Sequence, residues 1–220
     1  MPIKPKIPRP TVKRLSLYLR HLESLAALDQ PTISSKQLGA ALSLTDAQVR
    51  KDLAYFGQFG HPGVGYRVDD LIGQLRKIFG TDKMWNAAII GAGNIGRALL
   101  AYDRFGQKNF EIVAVFDNDP NVMGTVIENL KVKPMKDLAK LIREREVKLG
   151  IIAVPGEAAQ DVADQLINAG VLGILNFAPV RLDVHDAVSV NSVDFSVALE
   201  QLAFQVSLGV VGSLDEDRTP

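Results

Sequence analysis

Apolar residues along the first part of the chain recur at helical spacing. Leu15, Leu19, Leu22 and Leu25/Ala26 predict an amphipathic helix over residues 10–28, stopped by Asp29-Gln30-Pro31. Ser34 and Ser35 cap a short second helix over 35–41, and Ser43-Leu44-Thr45 makes a turn. A third helix begins at Thr45, with Ala47, Val49, Leu53 and Phe56 facing inward. Residues 57–65 hold four glycines and a proline and so form a turn-rich loop, which Tyr66-Arg67-Val68 leaves as a short strand. A linking helix over 69–79 carries Leu71, Ile72, Leu75 and Ile78 on its apolar side, and Gly80-Thr81-Asp82 ends it. Three helices followed by a glycine-rich hairpin is the order of a winged helix-turn-helix.

From Met84 the rhythm changes. Apolar runs at 87–90, 112–116, 149–154 and 173–177 alternate with helical stretches near 94–105, 135–144 and 157–169. Continuous apolar strands are covered on both faces, which predicts a parallel, doubly wound, Rossmann-like α/β sheet. Residues 188–190 offer a further strand. Residues 195–208 form a last helix too apolar to lie exposed, to be buried against its own domain or a partner's. The expected domains are 1–80, a winged helix with its linking helix; 81–194, a dinucleotide-binding domain; and 195–220, a terminal helix and acidic tail.

Charge separates the same two regions. Residues 1–83 carry 13 Lys and Arg against 7 Asp and Glu, and the rest carries 12 against 18, although the whole chain is neutral. A basic first module suits a polyanion. The absence of cysteine excludes disulfides and thiolate metal sites, and three scattered histidines show no ligand spacing, so no metal is expected. No apolar run reaches the ~20 residues of a membrane span, and the basic, proline-broken residues 4–10 are not a signal peptide. A cytoplasmic protein is the expectation.

Gly91-Ala92-Gly93-Asn94-Ile95-Gly96 reads G-x-G-x-x-G between a predicted strand and a predicted helix. In that setting Gly91 permits the tight turn, Gly93 lets the backbone approach a pyrophosphate, and Gly96 lets helix and strand pack closely. Asp117, 21 residues beyond Gly96 and at the end of the next strand, suits a ribose diol and repels a 2′-phosphate, favouring NAD(H) over NADP(H). Catalytic equipment is poorly represented. His185 has no orienting partner in sequence, no Tyr-x-x-x-Lys pair is present, and about 60 residues after the Rossmann half are too few for a substrate domain.

In the basic module, Gln48, Arg50 and Lys51 are expected on the outer arc of the third helix, where glutamine suits adenine and the cations suit guanine or phosphate. Ser34, Ser35, Lys36 and Thr45 stand at helix starts, where phosphates are met. Gly63, Gly65, Tyr66 and Arg67 form a thin wing able to enter a groove. The plainer alternative is a helical protein-interaction domain, with Asp52 paired to Lys51 or a neighbouring arginine and Tyr55, Phe56 and Phe59 in the core.

The string from Val49 to Gly57 (VRKDLAYFG), then Gly63-Val64-Gly65-Tyr66, the fingerprint, Phe116-Asp117-Asn118-Asp119-Pro120, Val154-Pro155, Asn176-Phe177-Ala178-Pro179-Val180 and Val193-Asp194-Phe195 together resemble the redox-sensing transcriptional repressor Rex family. The resemblance implies a homodimer with an exchanged C-terminal helix that represses genes until NADH displaces NAD⁺. It implies cofactor contacts at Gly91, Ala92, Gly93, Asn94, Ile95, Gly96, Asp117, Val154, Pro155, Ala178, Pro179 and Phe195. It further implies a switch in which Asp194 changes partner between Arg20 on the first helix and Tyr102 in the fingerprint helix. Two rival readings remain at this level, an NAD-dependent oxidoreductase with a helical extension and a CoA-binding domain.

Overall fold

The computed structural model describes residues 7–60 and 63–208; the start of the basic arm, His61, Pro62 and the acidic tail lie outside them. The chain divides into two compact units, Met1–Lys83 and Met84–Pro220.

The first unit runs α1 (Arg9–Ala26), β1 (Thr32–Ile33), α2 (Ser35–Ala41), α3 (Asp46–Ala54), β2 (Tyr66–Arg67) and α4 (Val68–Phe79). Leu15, Tyr18 and Leu22 from α1 meet Leu38, Val49 and Leu53 from α2 and α3 and Leu71, Ile72 and Leu75 from α4 in one core. Leu19 and Leu25 lie at its margin, Ala47 faces solvent, and Tyr18 takes an inward place that helical counting of leucines passed over. Val68 opens α4 instead of ending the strand. Only β2 was expected. Its partner β1 pairs with it antiparallel, Ile33 opposite Tyr66, and two residues are too few to leave a pattern.

The second unit runs β3 (Trp85–Ile90), α5 (Asn94–Leu100), α6 (Arg104–Gln107), β4 (Phe110–Asp117), β5 (Val126–Ile127), β6 (Leu130–Lys131) and β7 (Lys133–Pro134). A 3-10 turn (Met135–Asp137) leads into α7 (Leu138–Glu144), β8 (Leu149–Ile152), α8 (Gly156–Ala169), β9 (Gly173–Asn176), β10 (Ser189–Ser192) and α9 (Phe195–Ser207). Six parallel strands take the order β10-β9-β8-β3-β4-β7, so the chain starts in the middle, winds one way, and returns to wind the other. The alternation of side chains sends Ala88, Ile90, Ala114 and Phe116 to one face, under α7 and α8, and Ile89 and Val115 to the other, under α5 and the residues around β5 and β6.

Two expectations need correction, and a third, left with two alternatives, is narrowed to one. The single helix over 94–105 is two, α5 and α6, and Tyr102 lies in the link between them, not in the fingerprint helix. The last strand is Ser189–Ser192, slightly later than the 188–190 expected. Helix α9 buries no residue in this chain, with Phe195, Leu199 and Phe204 all more than 60% exposed, so its own domain does not cover it.

Candidate functional site

In the first unit, α2 and α3 meet closely because residue 39 is glycine; a Cβ there would lie 2.7 Å from the Leu44 carbonyl oxygen. Ser34 caps α2 reciprocally with Gln37, and the Thr45 hydroxyl accepts the Gln48 N–H to cap α3. Lys36, Arg50 and Lys51 are exposed. Arg50 Nη1 donates to Asp46 Oδ2 (2.7 Å) and to Ser35 Oγ (3.2 Å), bridging the starts of both helices, and this bond holds the Asp46 carboxyl below its usual range. A groove of about 590 Å³ runs between α3 and the glycine loop, lined by Ser34, Ser35, Arg50, Gly63, Gly65 and Tyr66 among others.

Two residues of this set are placed differently from expectation. Gln48 is only partly exposed, with Nε2 turned inward to donate to Asp52 Oδ1 (2.9 Å). Tyr66 belongs to the core, and burial raises its pKa against the opposing charge of Arg50. Gly65 has φ +86°, and a Cβ on it would lie 2.6 Å from the Ile33 carbonyl oxygen, so the loop's root is seated on β1. Arg67 is exposed and pairs at 3.3 Å with Asp70.

Sequence reasoning missed the cluster behind α3. Asp52, 1% exposed, receives Arg14 Nε at 2.6 Å and Nη2 at 2.7 Å, Tyr18 Oη at 2.8 Å, Thr11 Oγ1 at 3.3 Å and the Gln48 amide. Its partner is therefore an arginine of α1 and not Lys51. Burial alone would raise the Asp52 pKa, but the bonds from Arg14, Tyr18 and Gln48 outweigh it and leave the carboxyl below its usual range. Burial and the bond to Asp52 push the Tyr18 phenol up. The signal in the sequence was polar residues at inward helical positions on two helices.

In the second unit, the chain reverses its winding between β3 and β8, and the crevice outside the strand ends at such a point is where ligands of this fold bind. The fingerprint loop lies there. Gly91 has φ +99°, and a Cβ on it would strike Ala153, next to Val154; a Cβ on Gly96 would strike the Gly91 carbonyl. Gly93, by contrast, faces open space and starts α5 with no side-chain cap, leaving Gly93, Asn94 and Ile95 exposed beside free helix N–H groups. Asp117 Oδ2 accepts the Ala92 N–H (2.7 Å) and Oδ1 accepts the Asp119 N–H (2.8 Å), which ties the loop to the end of β4. An open, uncapped helix start with a carboxylate one strand away fits a dinucleotide.

The loop after β9 is set by Asn176, fully buried, whose Nδ2 donates to the Ala178 and Val180 carbonyls while Oδ1 accepts the Ala178 N–H. Ala178 is buried and Pro155 and Pro179 are exposed. The ring of Phe177 lies 6.2 Å from that of Phe195. Arg20 is exposed on α1; Tyr102 is exposed with its ring edge-on to Phe105; Asp194 caps α9 by accepting the Ser196 and Val197 N–H groups on Oδ1. His185 is exposed and its Nδ1 accepts the Ala187 N–H (3.3 Å). Among the described residues no cluster of His, Asp and Glu is arranged to hold a metal, and no helix is long and apolar enough to cross a membrane.

Residues 82–180 match the family described as CoA binding domain, and residues 6–54 match the family described as "Putative DNA-binding protein N-terminus". The redox-sensing transcriptional repressor Rex of Carboxydothermus hydrogenoformans is 50% identical over 91% of this chain and 97% of its own, and that of Desulforamulus reducens 47% identical over 92% and 97%. Among solved structures, RSP in complex with β-NAD⁺ and operator DNA has a TM-score of 0.89 at 34% identity, covering 97% of this chain and 99% of RSP. RSP in complex with β-NADH gives 0.85 at 33% identity, over 94% and 97%. With identity this high over nine-tenths of both chains, the protein belongs to the redox-sensing transcriptional repressor Rex family.

Proposed function

We propose that the protein is a repressor that reads the NADH/NAD⁺ balance, binding operator DNA as a homodimer and leaving it when NADH binds. The observation that carries this reading is the union in one chain of a helix-turn-helix unit with a basic outer face and a Rossmann crevice open at its winding reversal. Operator contacts are assigned to Lys36, Arg50 and Lys51, with the starts of α2 and α3 at Ser34, Ser35 and Thr45 against phosphate, and to the loop at Gly63, Gly65 and Arg67. Gln48 adds its partly exposed amide to this surface, and Tyr66 supports it from behind. The cofactor lies over Gly91, Ala92, Gly93, Asn94, Ile95 and Gly96, its ribose on Asp117 and its nicotinamide end towards Val154, Pro155, Ala178, Pro179 and Phe195. Reduction of the nicotinamide removes its positive charge, and nothing needs to be turned over for that difference to be sensed. The reading is therefore of a regulator that is not an enzyme, working in the cytoplasm beside its DNA.

Dimerisation is supported by two apolar surfaces that lack cover. Helix α9 exposes Phe195, Val197, Leu199, Leu202, Phe204 and Val206, and a groove of about 430 Å³ on the sheet is lined by Phe105, Phe110, Ile112, Ile151, Leu175 and Val190. In a two-fold dimer each copy's α9 covers its partner. The switch runs through Asp194, which caps α9 through Oδ1 and keeps Oδ2 for one further partner, Arg20 with NAD⁺ and Tyr102 with NADH. One experiment decides: the full chain is incubated with a pool of random duplexes, with NAD⁺ or NADH, and separately with NADH and a panel of carbonyl compounds. Retention of a selected duplex that NADH releases is expected. Cofactor turnover without duplex selection would replace this reading with an oxidoreductase.

A further inference from the structure

The carboxylate of Asp52 is saturated. Oδ1 accepts from Arg14, Thr11 and Gln48, and Oδ2 from Arg14 and Tyr18, five bonds on a group with about four lone-pair sites. An ionised carboxylate only accepts, so the end of the Gln48 amide that faces it must be the nitrogen. That choice is set by chemistry and leaves the amide one orientation. Among the described residues no donor reaches Gln48 Oε1. Gln48 is the third residue of α3, and the first turn of a recognition helix is the part that meets base edges. Its neighbour on the buried side is fixed from outside α3, because all three groups that hold Asp52 besides Gln48, namely Thr11, Arg14 and Tyr18, are side chains of α1.

We infer that Asp52 is a positioning residue for operator reading: it holds the Gln48 amide with its oxygen free, so that α3 asks for an exocyclic amine, on adenine or cytosine, at one position of the major groove. The inference rests on the repressor reading above. Adenine and cytosine both present an amino donor in the major groove, whereas guanine presents acceptors there and thymine an acceptor and a methyl. A free glutamine turns either end of its amide outward and accommodates both kinds of edge. A glutamine tethered through one N–H to a buried carboxylate cannot turn its amide over, so its oxygen keeps a fixed place that asks for an amine, and the second N–H remains for an adjacent acceptor such as adenine N7.

The test uses the full chain and a duplex that it selects from a randomised pool. Each adenine in turn is replaced by purine, which lacks the 6-amino group, and each cytosine by its 4-unsubstituted analogue. The unaltered protein is expected to lose about fivefold in affinity at one position and Asp52→Asn to lose nothing there, since asparagine lets the amide turn. The salt dependence of binding is expected to be the same for both, because no phosphate contact has changed; a loss of folding alone would lower affinity at every position equally. A folded Asp52→Asn with the amine dependence intact, or an unaltered protein with no amine-dependent position, overturns the inference. Where Asp52→Asn does not fold, two measurements stand in for it. The Gln48 side-chain amide protons, assigned by their loss in Gln48→Met, are expected to exchange slowly with solvent, and Gln48→Met is expected to lose the amine dependence; exchange as fast as that of free glutamine overturns the inference. Failure to select any duplex overturns the repressor reading and this inference with it.

Discussion

Gly96 and Gly91 are in such close approach that a Cβ on the first would fall on the carbonyl oxygen of the second. The contact joins the first turn of α5 to the end of β3, and it gives the third glycine of the fingerprint a role separate from any ligand. Gly96→Ala is expected to destabilise the second unit by about 1–3 kcal/mol through forced displacement of backbone and to abolish NADH binding. Gly93→Ala, which meets open space, is expected to leave stability nearly unchanged while weakening NADH. Thermal unfolding and NADH fluorescence titration on both variants check the pair, and equal stabilities would contradict this division of labour.

Asp117 is expected to select NAD(H). A 2′-phosphate placed against its carboxylate meets like charge, so Asp117→Ala should weaken NADH far more than NADPH. Because Asp117 also accepts the Ala92 N–H, the substitution should loosen the fingerprint loop, seen as faster hydrogen exchange at Ala92. NADPH binding to the unaltered protein as tightly as NADH would remove Asp117 from this role.

Lys51 is exposed on α3, so Lys51→Ala is expected to lower affinity for all duplexes alike and to reduce the salt slope by about one phosphate's worth. Arg50 is held by Asp46 and Ser35 before any duplex arrives, and Arg50→Ala should relax base discrimination by about 1–3 kcal/mol at its contact. Salt titrations against a selected duplex separate the two effects.

Tyr102→Phe is expected to bind NADH normally yet release the duplex less readily, and Arg20→Ala to bind the duplex weakly at any cofactor ratio. The two arrangements of Asp194 need differ by only a few kcal/mol for the populations to exchange. Both variants responding to NADH like the unaltered protein would remove the switch from these residues.

The Asp52 cluster makes the first unit sensitive to both ends of the pH scale. Its folded-state carboxyl titrates below the unfolded value of about 3.9, so its contribution is complete above that pH and is lost as pH falls through the folded value. The Tyr18 phenol titrates above its unfolded value of about 10, so its contribution is complete below that pH and fades as pH rises beyond it. Protection of α1 and α3 amides, taken relative to their intrinsic exchange rate at each pH, should therefore fall below about pH 4 and again above about pH 10. Asp52→Ala is expected to cost about 1–3 kcal/mol at neutral pH, because it leaves the buried Tyr18 phenol without its acceptor and removes the bonds to the partly exposed Arg14.

What could be read from the sequence followed the strength of its local signals. The fingerprint glycines announced themselves by spacing, and the long parallel strands by unbroken apolar runs. Two-residue strands such as β1, with Pro31 before it, leave no period to detect. The break at Tyr102 was hidden because 101–105 holds no glycine or proline to stop a helix; only the fold separates α5 from α6. Gln48 and Asp52 lie one helical turn apart, and nothing in α3 alone says that the second is buried. That fact belongs to Arg14 and Tyr18, more than thirty residues earlier. Long-range pairing of polar side chains is the part of a fold that periodicity does not encode.

Helix α9 is a run of thirteen residues with no buried side chain. In the proposed dimer such a segment makes repression a property of pairs: a newly made chain is unfinished until it meets another, and its lifetime depends on how many are present. In that same dimer, a subunit whose α3 is defective but whose α9 is intact would enrol a healthy partner into a complex that grips only one half of its target, so each defective chain silences one healthy chain as well as itself.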